Sequence, residues 1–484
     1  MVVGELVQET DVLVIGSGPG GYTAAFRAAD LGLDVTLLDM QMKPGGECLF
    51  QGCIPSKALL FLAELIHDTR RTGSMGVTFD NPRIELDKVR AWKGKVIDKL
   101  ANGLVTLGNK RGVQLVKGRA VFEGSDRIRL HDSEISRIKF RHAILAAGSV
   151  PKSLPGMAFK PNGRIMNSAG ALDLKDIPET LLIIGGGYIG LELGTVYAAL
   201  GSKITLVEME NRLLPEVDPD LVMPLNRRLI EIFKAIHLST RVLSLDELED
   251  RVEAVFEGDV DHPEQTFDRV LVAVGRQPNS QGLGLKTTGV TVDANGFVIV
   301  DEQQRTSDER IFAIGDIIGV PMLAHKASHQ GKVAAEVIAG RPSAFDVRAI
   351  PAIIYTDPQI AWCGMTEEQA RKQHRSIRVE KYPWKLSGRA TTMGATEGLT
   401  KIISDPETQR VLGIGIVGRD AEGLISEGAL AIEMGAQLED LALTVHPHPT
   451  LSETLAETAE IYLGLATHIL PGQHGEPSAS KSSR

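Results

Sequence analysis

Three cysteines in 484 residues are too few for a disulfide framework. A cytoplasmic compartment is expected, where a cysteine pair is catalytic or redox-sensing. Basic charge is also short. Lys and Arg number 52 against 62 Asp and Glu, and the net charge of −10 argues against nucleic acid as a main partner. The first ten residues lack the basic start and apolar block of a secretory signal. Only residues 181–201 approach a continuous apolar run; Glu192 interrupts it and glycines dilute it, so a strand and a helix are expected there and no membrane span.

Glycine, by contrast, is plentiful: 50 residues, many inside apolar runs, where they signal tight turns and close ligand approach. The length predicts two to four domains. Residues 12–15 read as a buried strand, 20–31 as a helix and 35–38 as the next strand. Gly16-x-Gly18-x-x-Gly21 lies at the first turn, and Asp39 follows the last glycine by eighteen residues. In such a unit, N–H groups at the helix start receive a pyrophosphate and the acid accepts ribose hydroxyls. A shift of 169 residues carries Gly16, Gly18, Gly21, Gly32 and Asp39 onto Gly185, Gly187, Gly190, Gly201 and Glu208. Two copies imply two dinucleotides, and hence a flavin and a nicotinamide. Glu208 suits a free 2′-hydroxyl and repels a 2′-phosphate, so NAD is expected over NADP; Arg212 reads as a surface charge.

Cys48 and Cys53 stand five positions apart in Gly45-Gly-Glu-Cys-Leu-Phe-Gln-Gly-Cys-Ile-Pro-Ser-Lys57. A straight helix would put their Cα atoms about 8 Å apart, beyond the roughly 4.4–6.8 Å of a disulfide. The chain must therefore bend, at Gly52 or Pro55, before a helix that begins at 54 and continues through 58–66. A helix N-terminus lowers a thiol pKa, and a short-loop disulfide is readily reduced. No Cys or His near the pair completes a metal site, and no metal is expected. Cys363 reads as a small core residue. In 446–453, His-Pro-His-Pro-Thr-Leu-Ser-Glu, two readings stay open. Glu453 either caps a helix through Thr450-x-x-Glu453, or partners a histidine acting as general base toward a thiol. Lys57 and Glu192, each early on a helix aimed at a cofactor, read as a candidate pair, because the apolar stretch around Glu192 favours a partnered, buried carboxylate over a solvated charge.

Other expected elements are a long helix or helical pair over 85–107 and short strands over 112–130. Buried strands end at Gly148 and Gly275. Gly315-Asp316 ends a further strand. From about 350 to 470 the pattern becomes α+β, with strands at 352–355, 399–404 and 411–417 and helices at 366–374, 422–434 and 438–443. Residues 471–484 read as a disordered tail.

The cysteine stretch, both glycine turns, Ala313-Ile-Gly-Asp-Ile317 and His448-Pro-Thr-Leu-Ser-Glu453 resemble the flavoprotein disulfide reductases, from about residue 10 to 465. Met322-Leu-Ala-His-Lys-Ala327, Tyr355-Thr-Asp-Pro-Gln-Ile-Ala-Trp-Cys-Gly364 and Ala431-Ile-Glu-Met-Gly435 are most similar to the dihydrolipoyl dehydrogenase branch. The resemblance implies an α/β chain with two Rossmann-like dinucleotide-binding domains, for FAD and NAD, plus a C-terminal α+β dimerisation domain. It implies the first part of the FAD domain at 1–149, the NAD domain at 150–275, a return to the FAD side at 276–345 and the interface domain at 346–470. Gly16, Gly18, Gly20, Gly21, Asp39, Lys57, Gly148 and Asp316 would serve FAD. Gly185, Gly187, Gly190, Glu192, Glu208 and Gly275 would serve the NAD side. Cys48 would be the interchange thiol, Cys53 the thiol facing the flavin, and His448 with Glu453 the base acting in the opposite subunit of a homodimer.

The implied reaction is oxidation of a dihydrolipoyl group on a lipoylated carrier protein with NAD⁺. Alternatives are an NADH-dependent reductase of another disulfide, or service to a specialised lipoate-binding protein. Departures from the family wording fall at Phe50, Gln51, Pro447 and 419–423, on the substrate side. They bear on the partner and not on the electron path.

Overall fold

The structure, a computed structural model, describes residues 7–470. The expected tail, 471–484, lies outside them.

Val7–Ile15, apolar on both faces from Val12 onward, becomes the central strand of the first sheet, parallel to Val35–Asp39 on one side and Arg137–Leu145 on the other. Gln114–Lys117 extends the sheet beyond Val35–Asp39, and Ile311–Ala313 pairs with Arg137–Leu145. The helix Pro19–Asp30 packs its alanines under this sheet against Ala324–Ile338. The second sheet repeats the plan. Thr180–Ile184 is flanked by Lys203–Val207 and Arg269–Val272, with Ala235–His237 and Ile165–Met166 outside them. Parallel strands covered on both faces read as unbroken apolar runs, which is why 181–201 looks hydrophobic throughout. It is a strand, a glycine turn and the helix Tyr188–Leu200.

Several boundaries differ from the sequence reading. The expected 85–107 segment forms one helix, Leu86–Lys110, with Glu85 as its N-cap. The redox stretch forms two helices, Gly46–Gln51 and Cys53–Arg71, parted at Gly52 with φ −141° and ψ −112°. By length and composition Gly46–Met75 is apolar enough to cross a membrane. Its Leu59, Leu60, Ala63 and Ile66 pack in one core with Leu191, Leu193 and Val196 of Tyr188–Leu200.

Beyond residue 350 an antiparallel sheet runs in the order Ala352–Ile354, Gln359–Gly364, Val411–Gly418, Leu399–Ser404, Arg378–Pro383. Gln359–Gly364 and Arg378–Pro383 escape the sequence reading because each is only six residues long, and charged residues break the second. Cys363 is 1 % exposed in this sheet, and burial pushes its thiol up to about 12. Buried Lys401 ties the C-terminal unit to the second sheet's unit: its Nζ lies 2.6 Å from Asp218, 2.8 Å from Asp220 and 3.0 Å from Glu367. Those acids are the one metal-like cluster among the described residues, and the ammonium already occupies it.

Candidate active site

The two glycine turns share their construction. Gly16 has φ +100° and Gly185 φ +109°; a Cβ there would stand 2.3 Å from Ala146 O and 2.4 Å from Ala273 O, so only glycine fits. At Gly18 and Gly187, which cap the following helices, a Cβ would meet nothing within 4 Å, which leaves room for a ligand. Each acid closes its turn. Asp39 accepts the Ser17 N–H at 2.7 Å and hydroxyl at 2.8 Å, and Glu208 accepts the Gly186 N–H at 2.5 Å. Arg212 pairs with Glu368 at 2.6 Å, so it stands engaged on the surface.

The first turn opens into a cavity of about 500 Å³. Gly16, Gly18, Gly20, Gly21, Asp39, Gly148 and Asp316 line it together with Cys48, Cys53, Lys57 and Glu192. Its mostly apolar lining, the bare helix start and the single acid at the strand end fit a bound dinucleotide. Gly185, Gly187, Gly190, Glu208 and Gly275 belong to the second turn and its neighbouring strand end, outside this cavity. Glu192 is the exception in its group: its carboxylate faces the cavity and not the second turn.

The helix break at Gly52 brings the two sulfurs together, and both are free thiols hydrogen-bonded to one another. The Cys48 thiol donates. That bond first, and then the Lys57 ammonium, holds Cys53 at about 7 against the effect of burial. Cys48 is pushed far above its ordinary range by the same bond and by burial. Cys53 is also the first residue of its helix, where backbone N–H groups favour a thiolate. Lys57 Nζ lies 2.9 and 3.2 Å from the two Glu192 oxygens, and the Glu192 side chain is 4 % exposed. A buried carboxylate needs such a partner.

The histidine loop favours the second reading. Glu453 is the first residue of the helix Glu453–Leu463, whose N-cap is Ser452 with no side-chain capping bond, so the expected capping box from Thr450 does not form. Glu453 Oε2 accepts the Thr450 N–H at 2.7 Å and Oε1 lies 2.8 Å from His448 Nδ1, while the Thr450 hydroxyl donates to Pro447 O. His446 has both ring nitrogens engaged, with Thr444 O and Glu427, and its side chain is buried. His448 is 78 % exposed, and neither it nor Glu453 lines the cysteine cavity. The chain thus gathers its thiols in one place and displays its His–Glu pair in another.

Sequence reading missed a polar chain beside Cys48. Arg276 donates to Glu47 at 2.6 Å and to Ser149 Oγ at 2.7 Å, and the Ser149 hydroxyl donates to Asp316 at 2.6 Å. Glu47 precedes Cys48 and Arg276 follows Gly275, but their meeting depends on the antiparallel pairing of Ser149–Pro151 with Arg276–Pro278, which no local pattern announces.

Residues 10–331 match the family model for pyridine nucleotide-disulphide oxidoreductases, and residues 350–459 match the dimerisation domain of that family. The chain is 46 % identical over 463 residues to the dihydrolipoyl dehydrogenase of Haemophilus influenzae, covering 95 % of this chain and 96 % of that one. The Bacillus subtilis protein of the same name is 42 % identical over 472 residues, 97 % of this chain and all of the other. Among solved structures, LpdA from Mycobacterium tuberculosis aligns with a TM-score of 0.85 at 26 % identity, covering 93 % of this chain and 99 % of that one. The HOCl-induced flavoprotein disulfide reductase RclA from Escherichia coli aligns at 0.82 and 27 %, with the same coverage. The chain belongs to the pyridine nucleotide-disulphide oxidoreductase family.

Proposed function

We propose that this family member is a dihydrolipoyl dehydrogenase, an FAD-dependent enzyme that oxidises a dihydrolipoyl group with NAD⁺. The observation that carries the reaction type is the thiol pair beside Lys57–Glu192, in the cavity that the first glycine turn opens. Close similarity to dihydrolipoyl dehydrogenases over nearly the whole chain supports the substrate class. The first turn, Asp39, Gly148 and Asp316 would hold FAD, and the second turn with Glu208 would hold NAD⁺. When bound, FAD would supply a two-electron acceptor for the thiols and a hydride donor for NAD⁺. The residue division given by the family resemblance serves as the domain assignment: 1–149 and 276–345 around FAD, 150–275 around NAD, 346–470 at the interface.

The chain's own steps follow from the site. The cycle begins with Cys48 and Cys53 joined as a disulfide. His448 takes a proton from one substrate thiol at Nε2, because its Nδ1 is engaged with Glu453. The thiolate attacks Cys48 Sγ, the S–S bond breaks and Cys53 leaves as a thiolate. The second substrate thiol then displaces Cys48, so the substrate becomes a cyclic disulfide and both cysteines are reduced. Cys53 is the better thiolate because Cys48 donates to it and Lys57 lies close. Lys57 also offers a fixed positive charge to the buried redox centre.

The exposure of His448 away from the cysteine cavity supports a homodimer in which each histidine works in the other subunit. The dithiol is carried on a lipoylated protein in a cytoplasmic setting. The test is NAD⁺-dependent oxidation of dihydrolipoamide by Cys53→Ser with bound FAD: loss of turnover is expected, and retained turnover sinks the reading.

A further inference from the structure

A second cavity, about 160 Å³, lies between the helix Cys53–Arg71 and the C-terminal unit. Lys57, Tyr355, Gln359 and Glu422 are among its walls. The Lys57 ammonium stands 4.4 Å from the centre of the Tyr355 ring. The Tyr355 N–H donates to Glu192 Oε1 at 3.0 Å, and Glu422 stands on the same cavity wall, near enough for its charge to act on the tyrosine hydroxyl. Glu422 is steadied in turn: its N–H donates to Gln359 Oε1 at 3.1 Å. Glu422 falls in the 419–423 segment, where the sequence departs from the family wording.

We propose that Tyr355 and Glu422 are positioning residues that fix the Lys57 ammonium against Cys53. A lysine is a point charge on a flexible stem. Glu192 restrains it from one side, and the aromatic face restrains it from another through attraction between the cation and the ring. Glu422 sets the ring angle, so the interface unit reaches the redox centre without touching either sulfur. The inference rests on the reading of Cys53 as the cofactor-facing thiolate. The charged and titratable groups around that sulfur are Cys48, Lys57 and Glu192, with Tyr22, Tyr188 and Tyr355 farther out.

The test uses FAD-loaded enzyme carrying Cys48→Ser, so that Cys53 alone titrates in the neutral range; Cys363 is pushed up to about 12 and stays silent. Ultraviolet thiolate absorbance is followed against pH. Tyr355→Leu raises the Cys53 midpoint by about half a unit, the size of a weak cation–ring contact. Tyr355→Phe keeps the ring and raises it less. Glu422→Ala raises the midpoint, whereas Glu422→Gln, which keeps an acceptor near the tyrosine hydroxyl, leaves it in place. An unmoved midpoint in a folded, FAD-loaded Tyr355→Leu protein overturns the proposal. So does an equal fall in Glu422→Ala and Glu422→Gln, which marks Glu422 as a simple charge. Lys57→Met separates the two levels. If it moves the midpoint and Tyr355→Leu does not, the positioning pair alone is wrong. If Lys57→Met moves nothing, the reading of Lys57 beneath it is wrong as well.

Discussion

The cysteine loop and the histidine loop carry complementary halves of one proposed reaction, yet the fold treats them differently. The thiols are half-buried on the wall of the large cavity, on a broken helix whose second half is locked into the core through Leu59, Leu60 and Ala63. The Lys57 ammonium near Cys53 is held by partners from two separate stretches, Glu192 and Tyr355. The His448–Glu453 pair is local, built within six residues, and exposed. Burial lets a neighbouring charge shift a thiol strongly, whereas an exposed imidazole needs only orientation, which Glu453 supplies. One half is tuned before the substrate arrives; the other needs a second surface to act on.

The sharpest way to break this comparison is to separate the halves genetically. His448→Gln reduces dihydrolipoamide oxidation by about 10²–10⁴-fold, the usual worth of a positioned general base. Mixed with Cys53→Ser chains and allowed to exchange subunits, it recovers roughly a quarter of native activity, because half the dimers then hold one intact site. No recovery in verified mixed dimers means that each chain uses its own histidine.

A smaller effect is expected on the buried side. Cys53 titrates at about 7, so its thiolate is present above that pH and is lost as pH falls through it. Lys57→Met removes a cation that favours the thiolate and raises the midpoint by about one unit. Thiolate absorbance across pH 6–9 is the measurement, and a midpoint that stays or falls contradicts the assignment of Lys57.

The second glycine turn offers a milder probe. Glu208→Gln raises kcat/KM for NADP⁺ relative to NAD⁺ by about tenfold, equivalent to ~1.4 kcal/mol of repulsion removed. Steady-state rates with both nucleotides check it, and an unchanged ratio argues that Glu208 does not meet the ribose. The smallest change is expected at Arg419, whose guanidinium lies 2.7 and 3.0 Å from Asp68 on the redox helix. Both side chains are about a third exposed, so Arg419→Thr costs only about 0.2–1 kcal/mol in denaturant unfolding, with little change in turnover.

The departures noted in the sequence take on different weights in this light. Phe50 and Gln51 line the cysteine cavity between the two sulfurs' positions in the chain. Arg419 instead clamps the helix behind it, and the Glu422 charge acts on Tyr355. Adjacent residues in one unusual segment thus serve unlike ends, and the sequence alone does not separate them.

What the sequence determined was everything carried by local spacing. Gly16 and Gly185, with an acid at each strand end, specify two nucleotide turns because only glycine tolerates that backbone and that closeness. The interval between Cys48 and Cys53 demands a break, and Gly52 provides it. His448 and Glu453 are near enough along the chain for their contact to be foreseen. What only the tertiary structure decided was which distant groups share a low-dielectric space. Tyr355 lies under the Lys57 ammonium, Arg276 reaches Glu47 beside Cys48, and His448 stands away from the sulfurs of its own chain. Those contacts depend on how sheets and helices pack, and packing sums many weak apolar contacts that no short pattern of residues records.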